Sequence, residues 1–344
     1  MKKISVILCA YNAEDFLESA ARSVLDQTLK DLELIIVNDG SRDGTLKVAS
    51  QLATDDPRVT VVNIENGGLA NARNVGLSNA TGEYVAFFDA DDTADTDCYE
   101  TMLKAVERDG SDLCVAGYYH DIVLKDGKIS TVLFSEPDAT YNTREELFNG
   151  FVGLKSKFIL DAGWNKLYRR SIIAENDLKF PLGELFEDTA FVLSFLKVSC
   201  KVTVLDRCFY HYMQRASGSI TKAYNLRKLG DLKKRALELK EFCKDANDTV
   251  QRFCDLYYIK NVYSALANSF DDKKMSKHDR NALIKAEVTA EEFKKFSKTA
   301  KGVGFGDKLT VFVAKKKSTC WHKLYCWLVH FVKTKMSSIF AKIK

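Results

Sequence analysis

The chain predicts an α/β fold in which a mainly parallel, mixed sheet carries helices on both faces and is followed by a C-terminal helical region. Three observations lead there. Short apolar runs alternate with segments of helical periodicity as far as Phe88, the signature of strands joined by crossover helices. Beyond Gly110 two apolar runs, Leu113 to Tyr119 and Ile129 to Phe134, flank the turn Lys125-Asp126-Gly127-Lys128, which makes the sheet mixed. From about Leu226 the sequence turns helical and charged, giving a catalytic domain over residues 1–225 and a helical region over 226–344.

The elements follow in order. Ile4 to Cys9 reads as a buried first strand; Met1-Lys2-Lys3 ahead of it mimics a signal peptide, but the apolar run is short and Asn12, Glu14 and Asp15 come next. Phe16, Leu17, Ala20, Ala21, Val24 and Leu25 then recur at helical spacing behind Asn12, a candidate cap. The unit repeats: Leu34 to Val37 leads to a helix from about Thr45, Val59 to Ile64 to a helix from about Leu69, and Tyr84 to Phe88 ends in acids. A helix is expected from about Arg144 and another over Thr189 to Val198, ahead of a strand from Val202 to Tyr212.

A chain of 344 residues with 46% apolar content can bury a sizeable core. Its 9 cysteines lack metal-ligand spacing, and Cys9, Cys114 and Cys254 lie in apolar runs, which suggests a reducing cytoplasm. The formal charge of +4 hides an asymmetry: Lys301 to Lys344 holds ten lysines against Asp307 alone, so the preceding part is mildly acidic. That balance argues against nucleic acid as a partner and for a basic tail that meets an anionic surface.

In an open α/β sheet ligands gather beyond the carboxyl ends of the strands. Four such ends are polar here: Cys9-Ala10-Tyr11-Asn12, Asn38-Asp39-Gly40-Ser41, Glu65-Asn66-Gly67-Gly68 and Asp89-Ala90-Asp91-Asp92. None is a glycine-rich phosphate loop. Asp89-Ala90-Asp91 offers another device, because carboxylates can anchor a hard divalent cation, Mn²⁺ or Mg²⁺, that bridges the phosphates of a leaving diphosphate. Taken alone, a short acidic turn that merely caps a strand or helix is the commoner meaning.

The run SVILCAYNAEDFLESAARSVLDQTLKDLELIIVNDGSRDGT, then NGGLANARNVGLSNATGEYVAFFDADD, resembles the nucleotide-binding half of family 2 glycosyltransferases. WNKLYRRSII, FPLGELFEDTAF and YHYMQRASGSIT extend the resemblance over about residues 3 to 222. It implies a GT-A fold, Rossmann-like, and transfer from a nucleotide-sugar donor, with a UDP-sugar favoured and the anomeric configuration inverted. Such proteins commonly build bacterial surface polysaccharide or glycolipid, so the implied acceptor is a glycan or a lipid-linked one, and the implied location is cytoplasmic or peripheral on the inner face of the membrane.

Carried over by position, Tyr11 would stack on uracil, Asp39 would bond the base or ribose, and Arg73 would help hold the nucleotide. Asp89 would face the ribose and Asp91 the metal; Asn38 stands where many relatives carry a second acid. Glu187-Asp188 matches the family's acidic pair before a helix, in which one carboxylate removes the acceptor proton, and Asp188 is assigned that role. Gly183 fits the loop that admits the acceptor. His211 occupies a place where many GT-A enzymes hold a histidine near the metal, although a packed strand histidine is an equal alternative. Arg215, Ser217 and Ser219 would lie in a loop closing on the diphosphate, and Trp164, Asn165 and Lys166 would line the acceptor side, unless Trp164 belongs to the core.

Three rivals remain. Phe87 to Thr93 also fits the aspartyl-phosphate phosphatase pattern, but there the motif closes the first strand, whereas three strand–helix units precede it here. A nucleotidyltransferase would show a glycine-rich basic loop after its first strand. An inactive scaffold subunit would have lost Asp39, Asp91 or Asp188, and all are present. In the tail, Trp321, Leu324, Leu328, Phe331 and Val332 share a helical face, with Met336, Ile339, Phe340 and Ile343 downstream. No stretch approaches the roughly 20 apolar residues of a spanning helix, so the tail is expected to lie on anionic lipid or to dock on protein.

Overall fold

The computed structural model describes residues 2–124, 126–215, 226–302 and 304–335. Every residue of β1 (Ile4–Ala10) is buried, because it lies between two parallel neighbours and under helices on both faces. Its partners are β2 (Leu32–Asp39) and β4 (Tyr84–Asp89), which set Ile4 beside Leu32 and beside Tyr84. β3 (Val59–Ile64) extends the parallel set beyond β2. The crossovers are α1 (Leu17–Leu25), α2 (Thr45–Asp55) and α3 (Leu69–Asn79), so all three expected strand–helix units are present.

After β4 come β5 (Thr93–Ala94), α4 (Cys98–Asp109), β6 (Leu113–Val123), β7 (Ile129–Phe134), β8 (Ala139–Tyr141) and α5 (Arg144–Ser156). β9 (Lys166–Arg169), α6 (Arg170–Glu175), α7 (Glu187–Val198) and β10 (Val202–Gln214) complete the layer. The sheet order is β3-β2-β1-β4-β9-β6-β10-β5, with β7 on β6 and β8 on β10. It is mixed, as expected: β9 runs antiparallel to both β4 and β6, while β10 is parallel to β6. Phe87 projects from β4 into an aromatic core, edge-on to Phe180, Phe191 and Tyr168, and Phe180 stacks on Phe191 at 4.1 Å.

The sequence reading differs from the structure at several places. α4 was passed over, although Cys98, Tyr99, Met102, Leu103 and Val106 bury one helical face and Gly110, at φ 62°, ends the helix in the left-handed region. Asn12 is not the cap of α1, which starts behind Phe16 without a side-chain cap. Asn12 instead accepts a hydrogen bond from Arg42 N at 2.8 Å, tying the loop after β1 to the loop after β2.

Contacts divide the chain into two units, Met1–Ala216 and Ser217–Lys344, so the division falls somewhat before the expected residue 225. The second unit contains α8 (Leu226–Phe242), α9 (Asp248–Asn268), α10 (Lys277–Thr289), α11 (Glu291–Thr299), α12 (Phe305–Ala314) and α13 (Thr319–Lys335). α9 is its axis: Leu256, Ile259, Val262, Tyr263 and Leu266 are buried, and the other five helices pack against it. Side-chain caps define its start and that of α10, since Asn247 accepts from Val250 N and Ser276 from Asp279 N.

Candidate active site

The carboxyl ends of the parallel strands build the site. At the end of β2, buried Asp39 accepts from Gly67 N at 2.7 Å and Gly68 N at 2.9 Å, and Asn66 Nδ2 donates to its backbone oxygen at 2.9 Å. Asp39 thus shapes the loop that starts α3. Gly40 is required beside it: its φ is +66°, and a Cβ there would meet Asn66 N at 2.6 Å. Next to Asp39, buried Asn38 donates to Asn63 Oδ1 at 2.7 Å, and its own Oδ1 has no partner among the described residues. Tyr11, just after β1, is half exposed, so its ring is open to stacking.

At the end of β4 the three acids of the Asp89–Asp92 turn differ in their surroundings. Asp92 is buried: Tyr210 Oη donates to its Oδ2 and Met213 N to its Oδ1, both at 2.8 Å. Burial, then Asp89 and Asp91, hold its carboxyl well above the ordinary carboxylate range. Asp89 N donates to the same tyrosine hydroxyl at 3.1 Å, so Tyr210 clamps the turn from β10. Burial raises the Asp89 carboxyl to about 6, against the pull of Arg73 and with the help of Asp188 and Asp91. Asp91 has a side chain 52% exposed, and Arg215 Nη1 reaches its backbone oxygen at 2.8 Å and Oδ2 at 3.3 Å. The Arg215 guanidinium also lies 4.3 Å from the centre of the Phe16 ring.

Arg73 links these acids to the far side of the site. It projects from α3 with only 2% of its side chain exposed, and Nη2 donates to Asp89 Oδ1 at 3.1 Å. Nη1 donates to Glu187 Oε1 at 3.0 Å and to Asp188 Oδ1. Burial alone would lower its pKa, but Asp188, Asp89 and Glu187 outweigh that and raise it. Arg73 was expected against the nucleotide; in the structure it lies beneath the carboxylates and bonds all three of them.

Glu187 and Asp188 open α7, behind Phe186 in the left-handed conformation at φ 61°. A non-glycine residue there is uncommon and sets the direction of the first helical turn. Asp188 Oδ2 also accepts from Gly163 N at 3.2 Å, so both of its oxygens are oriented. Burial and the neighbouring Asp188 raise the Glu187 carboxyl, with Arg73 opposing. Upstream, Gly183 has φ +70° in the exposed loop that leads to this pair.

The other expected residues separate into groups. Trp164 is half-buried and stacks on Tyr210 at 4.3 Å and on Tyr212 at 5.6 Å, a wall beside the Asp89–Asp92 turn. Lys166 and Asn165 are interior. Lys166 Nζ donates to Ile159 O, Ala162 O and Asn165 Oδ1, while Asn165 Nδ2 donates to Ala116 O. Burial pushes the Lys166 ammonium down to about 7. Its ammonium, expected on the acceptor side, is thus hydrogen-bonded within the fold. His211 is engaged elsewhere too: its Nδ1 pairs with Asp121 Oδ2 at 2.7 Å and its Nε2 with Asp95 Oδ1 at 3.3 Å, while the ring stacks on Tyr119. Strand alternation sets its ring on the other face of β10 from Tyr210 and the turn that Tyr210 clamps. Ser217 and Ser219 lie outside the described residues.

The donor set suits a divalent cation held partly by substrate. Among the described residues no group of three or more histidine, cysteine or acidic side chains forms a cage. Mg²⁺ or Mn²⁺ needs only one or two carboxylates when phosphates supply further oxygens. Asp91 offers exposed oxygens, and Asp89 stands two residues before it at the end of β4. Tyr210 and Phe186 lie inside segments that carry the resemblance and Gly163 just ahead of one, but none of the three was given a role from sequence; each acts through its position next to a motif residue.

Comparison with known proteins places the chain by family and fold. Over 323 residues the chain is 28% identical to the cholesterol galactosyltransferase of Borreliella burgdorferi, covering 89% of this chain and 88% of that protein. The crystal structure of S. aureus TarS 1-349 in complex with UDP-GlcNAc superposes with a TM-score of 0.66 at 20% identity, covering 97% of this chain and 92% of that one. The mannosyltransferase PcManGT from Pyrobaculum calidifontis, in complex with GDP-Man and Mn²⁺, gives 0.52 at 14% identity over 97% and 88% of the two chains. At these identities the two structures bear on the fold, which is GT-A. The model of glycosyl transferase family 2 matches residues 5–176, half of the chain, and this protein is a glycosyltransferase of that family.

Proposed function

We propose that the enzyme moves a sugar from a nucleotide-sugar, a UDP-sugar by preference, to an acceptor hydroxyl with inversion at the anomeric carbon. One observation carries the reading: Arg73 joins Asp89, at the donor end, to Glu187 and Asp188 across the site. A single displacement needs a leaving group and a base on opposite sides of the reacting carbon, and one buried cation fixes both sets of carboxylates.

In this mechanism Tyr11 stacks on the base, and Asp39, while holding the loop after β3, faces base and ribose. Asp91, with Asp89 beside it, would hold Mn²⁺ or Mg²⁺, which would supply charge compensation for a departing diphosphate. Arg215 lies against Asp91, in reach of the same diphosphate. Asp188 accepts the proton from the acceptor hydroxyl as its oxygen attacks; Arg73 and Gly163 N keep its oxygens in place until then. Glu187 orients the acceptor or the Gly183 loop, and Trp164 with Tyr212 forms a flat apolar wall suited to a sugar face. The acceptor is a glycan or lipid-linked glycan of bacterial surface polysaccharide or glycolipid, and an anionic membrane is the partner of the basic C-terminal tail.

A donor panel with Mn²⁺ tests this, scored first by released nucleotide and then by transfer to candidate acceptors. Release from at least one UDP-sugar that rises with acceptor supports it. Metal-dependent phosphate release with no dependence on acceptor would favour a phosphohydrolase instead.

A further inference from the structure

α13 is not a free tail helix. His322 and Cys326 are buried on its inner side: His322 Nδ1 bonds Tyr263 Oη at 2.6 Å, and its Nε2 bonds Lys316 O at 2.9 Å. Lys333 Nζ donates to Ser264 Oγ at 2.8 Å. The opposite side is open, with Trp321 47%, Leu324 56% and Phe331 40% exposed. Trp327, which the sequence pattern did not place on this stripe, lies 5.6 Å from Phe331 and is also exposed. α12 adds to it, since exposed Phe312 sits edge-on to Trp321 with centroids 6.4 Å apart.

A docked helix that leaves tryptophan, phenylalanine and leucine in water has an outward face for something apolar. The charges around it identify what. Asp307, the only acid from Lys301 to Lys344, is already paired with Lys260 at 3.0 Å. Lys308, Lys315 and Lys317 are exposed, and Lys316 lies 4.0 Å from the centre of the Phe312 ring. Aromatic and leucine side chains beside unopposed lysines match the boundary of an anionic bilayer, where rings enter the headgroup layer and ammonium groups meet phosphates. No helix among the described residues is long and apolar enough to cross a membrane.

We infer that the outward face of α12 and α13, from Phe312 through Trp321 and Leu324 to Trp327 and Phe331, is a preformed surface for anionic lipid. It rests on the membrane part of the reading above and not on the chemistry of the catalytic site. Lipid therefore meets a surface built on the second unit's core, rather than inducing a helix in a loose tail. Met336, Ile339, Phe340 and Ile343 lie outside the described residues.

The test is co-sedimentation of the full chain with vesicles of phosphatidylcholine, with and without phosphatidylglycerol. Binding is expected only with phosphatidylglycerol and should weaken as salt is added. Changing Trp321 and Trp327 together to serine should cost about tenfold or more in vesicle affinity, and changing Lys315, Lys316 and Lys317 to glutamine about a hundredfold. Both variants should keep their circular dichroism and their nucleotide release from soluble donor, which separates failure of the lipid surface from failure of the transferase reading. Equal binding to neutral vesicles, no binding at low salt, or unchanged binding by the tryptophan variant would overturn the inference. So would a shift from dimer to monomer in light scattering for that variant without any lipid effect, which would make the face an interface between copies.

Discussion

Arg73 donates a hydrogen bond to Asp188 from 115 residues away in the sequence, and the same guanidinium nitrogen also bonds Glu187. One buried cation therefore holds the acidic pair of α7 against the end of β4. Removing it leaves three carboxylates facing one another. Arg73→Met should destabilise the fold by about 3–5 kcal/mol, the cost of orphaning buried ionic partners, and should lower donor affinity and transfer together. Urea unfolding beside calorimetric donor titration checks this. Normal stability with loss of donor affinity alone would restore Arg73 as a direct nucleotide contact.

Glu187 gives a pH signature. Its carboxyl is raised by burial and by Asp188, so between the ordinary glutamate value and the folded one the native state holds more protons than the unfolded chain. Stability then falls as pH rises through that window, and the penalty persists above it. Glu187→Gln mimics the protonated form, so it should be more stable than the parent at neutral pH and no different well below pH 4, as read by thermal unfolding across pH. A variant destabilised at neutral pH would show that the bond to Arg73 outweighs the burial.

Asp91→Asn should remove the donor binding that requires Mn²⁺ and leave stability within about 0.5 kcal/mol, because the side chain is half exposed. His211→Ala should keep that requirement, since His211 is engaged with Asp95 and Asp121. Calorimetry of UDP binding with and without Mn²⁺ distinguishes them. The opposite pattern would return His211 to the metal.

Lys166→Met should lose about 1–3 kcal/mol of stability for each oxygen left unpaired, Ala162 O and Asn165 Oδ1, while Ile159 O keeps its bond from Asn165 Nδ2 at 3.2 Å. At a permissive temperature its acceptor KM should be unchanged. A selective rise in acceptor KM with normal stability would return Lys166 to the acceptor side.

What could be read from the sequence follows the range of the interactions. β1 to β4 and their crossover helices were legible because apolar runs and helical spacing are local, and so were the polar strand ends, which a parallel sheet gathers on one side. β9 was not legible: Lys166–Arg169 is four residues long, and it is a strand only because β4 and β6 lie on either side. The side-chain roles divide in the same way. Asp91 and Tyr11 stay exposed at their strand ends, as their positions suggest. Arg73 and Lys166 look like ligand-binding cations until the fold buries them, and burial depends on α7 and on the 159–162 loop, far along the chain. His211 sits one residue from Tyr210 and Tyr212, and strand alternation alone sends it to the other face.

If Asp188 is the base, it acts on the acceptor and not on the nucleotide. The most direct measurement is donor Kd and transfer rate at saturating acceptor for Asp188→Asn, with Glu187→Gln as control. Asparagine keeps the shape and still accepts from Arg73, but at neutral pH it cannot take the proton. The donor Kd should be unchanged, transfer should fall about a hundredfold or more, and the effect at Glu187 should be milder. Near-normal transfer by Asp188→Asn with an inactive Glu187→Gln would reverse the two roles, and activity in both would leave the acidic pair as nothing more than the start of a helix.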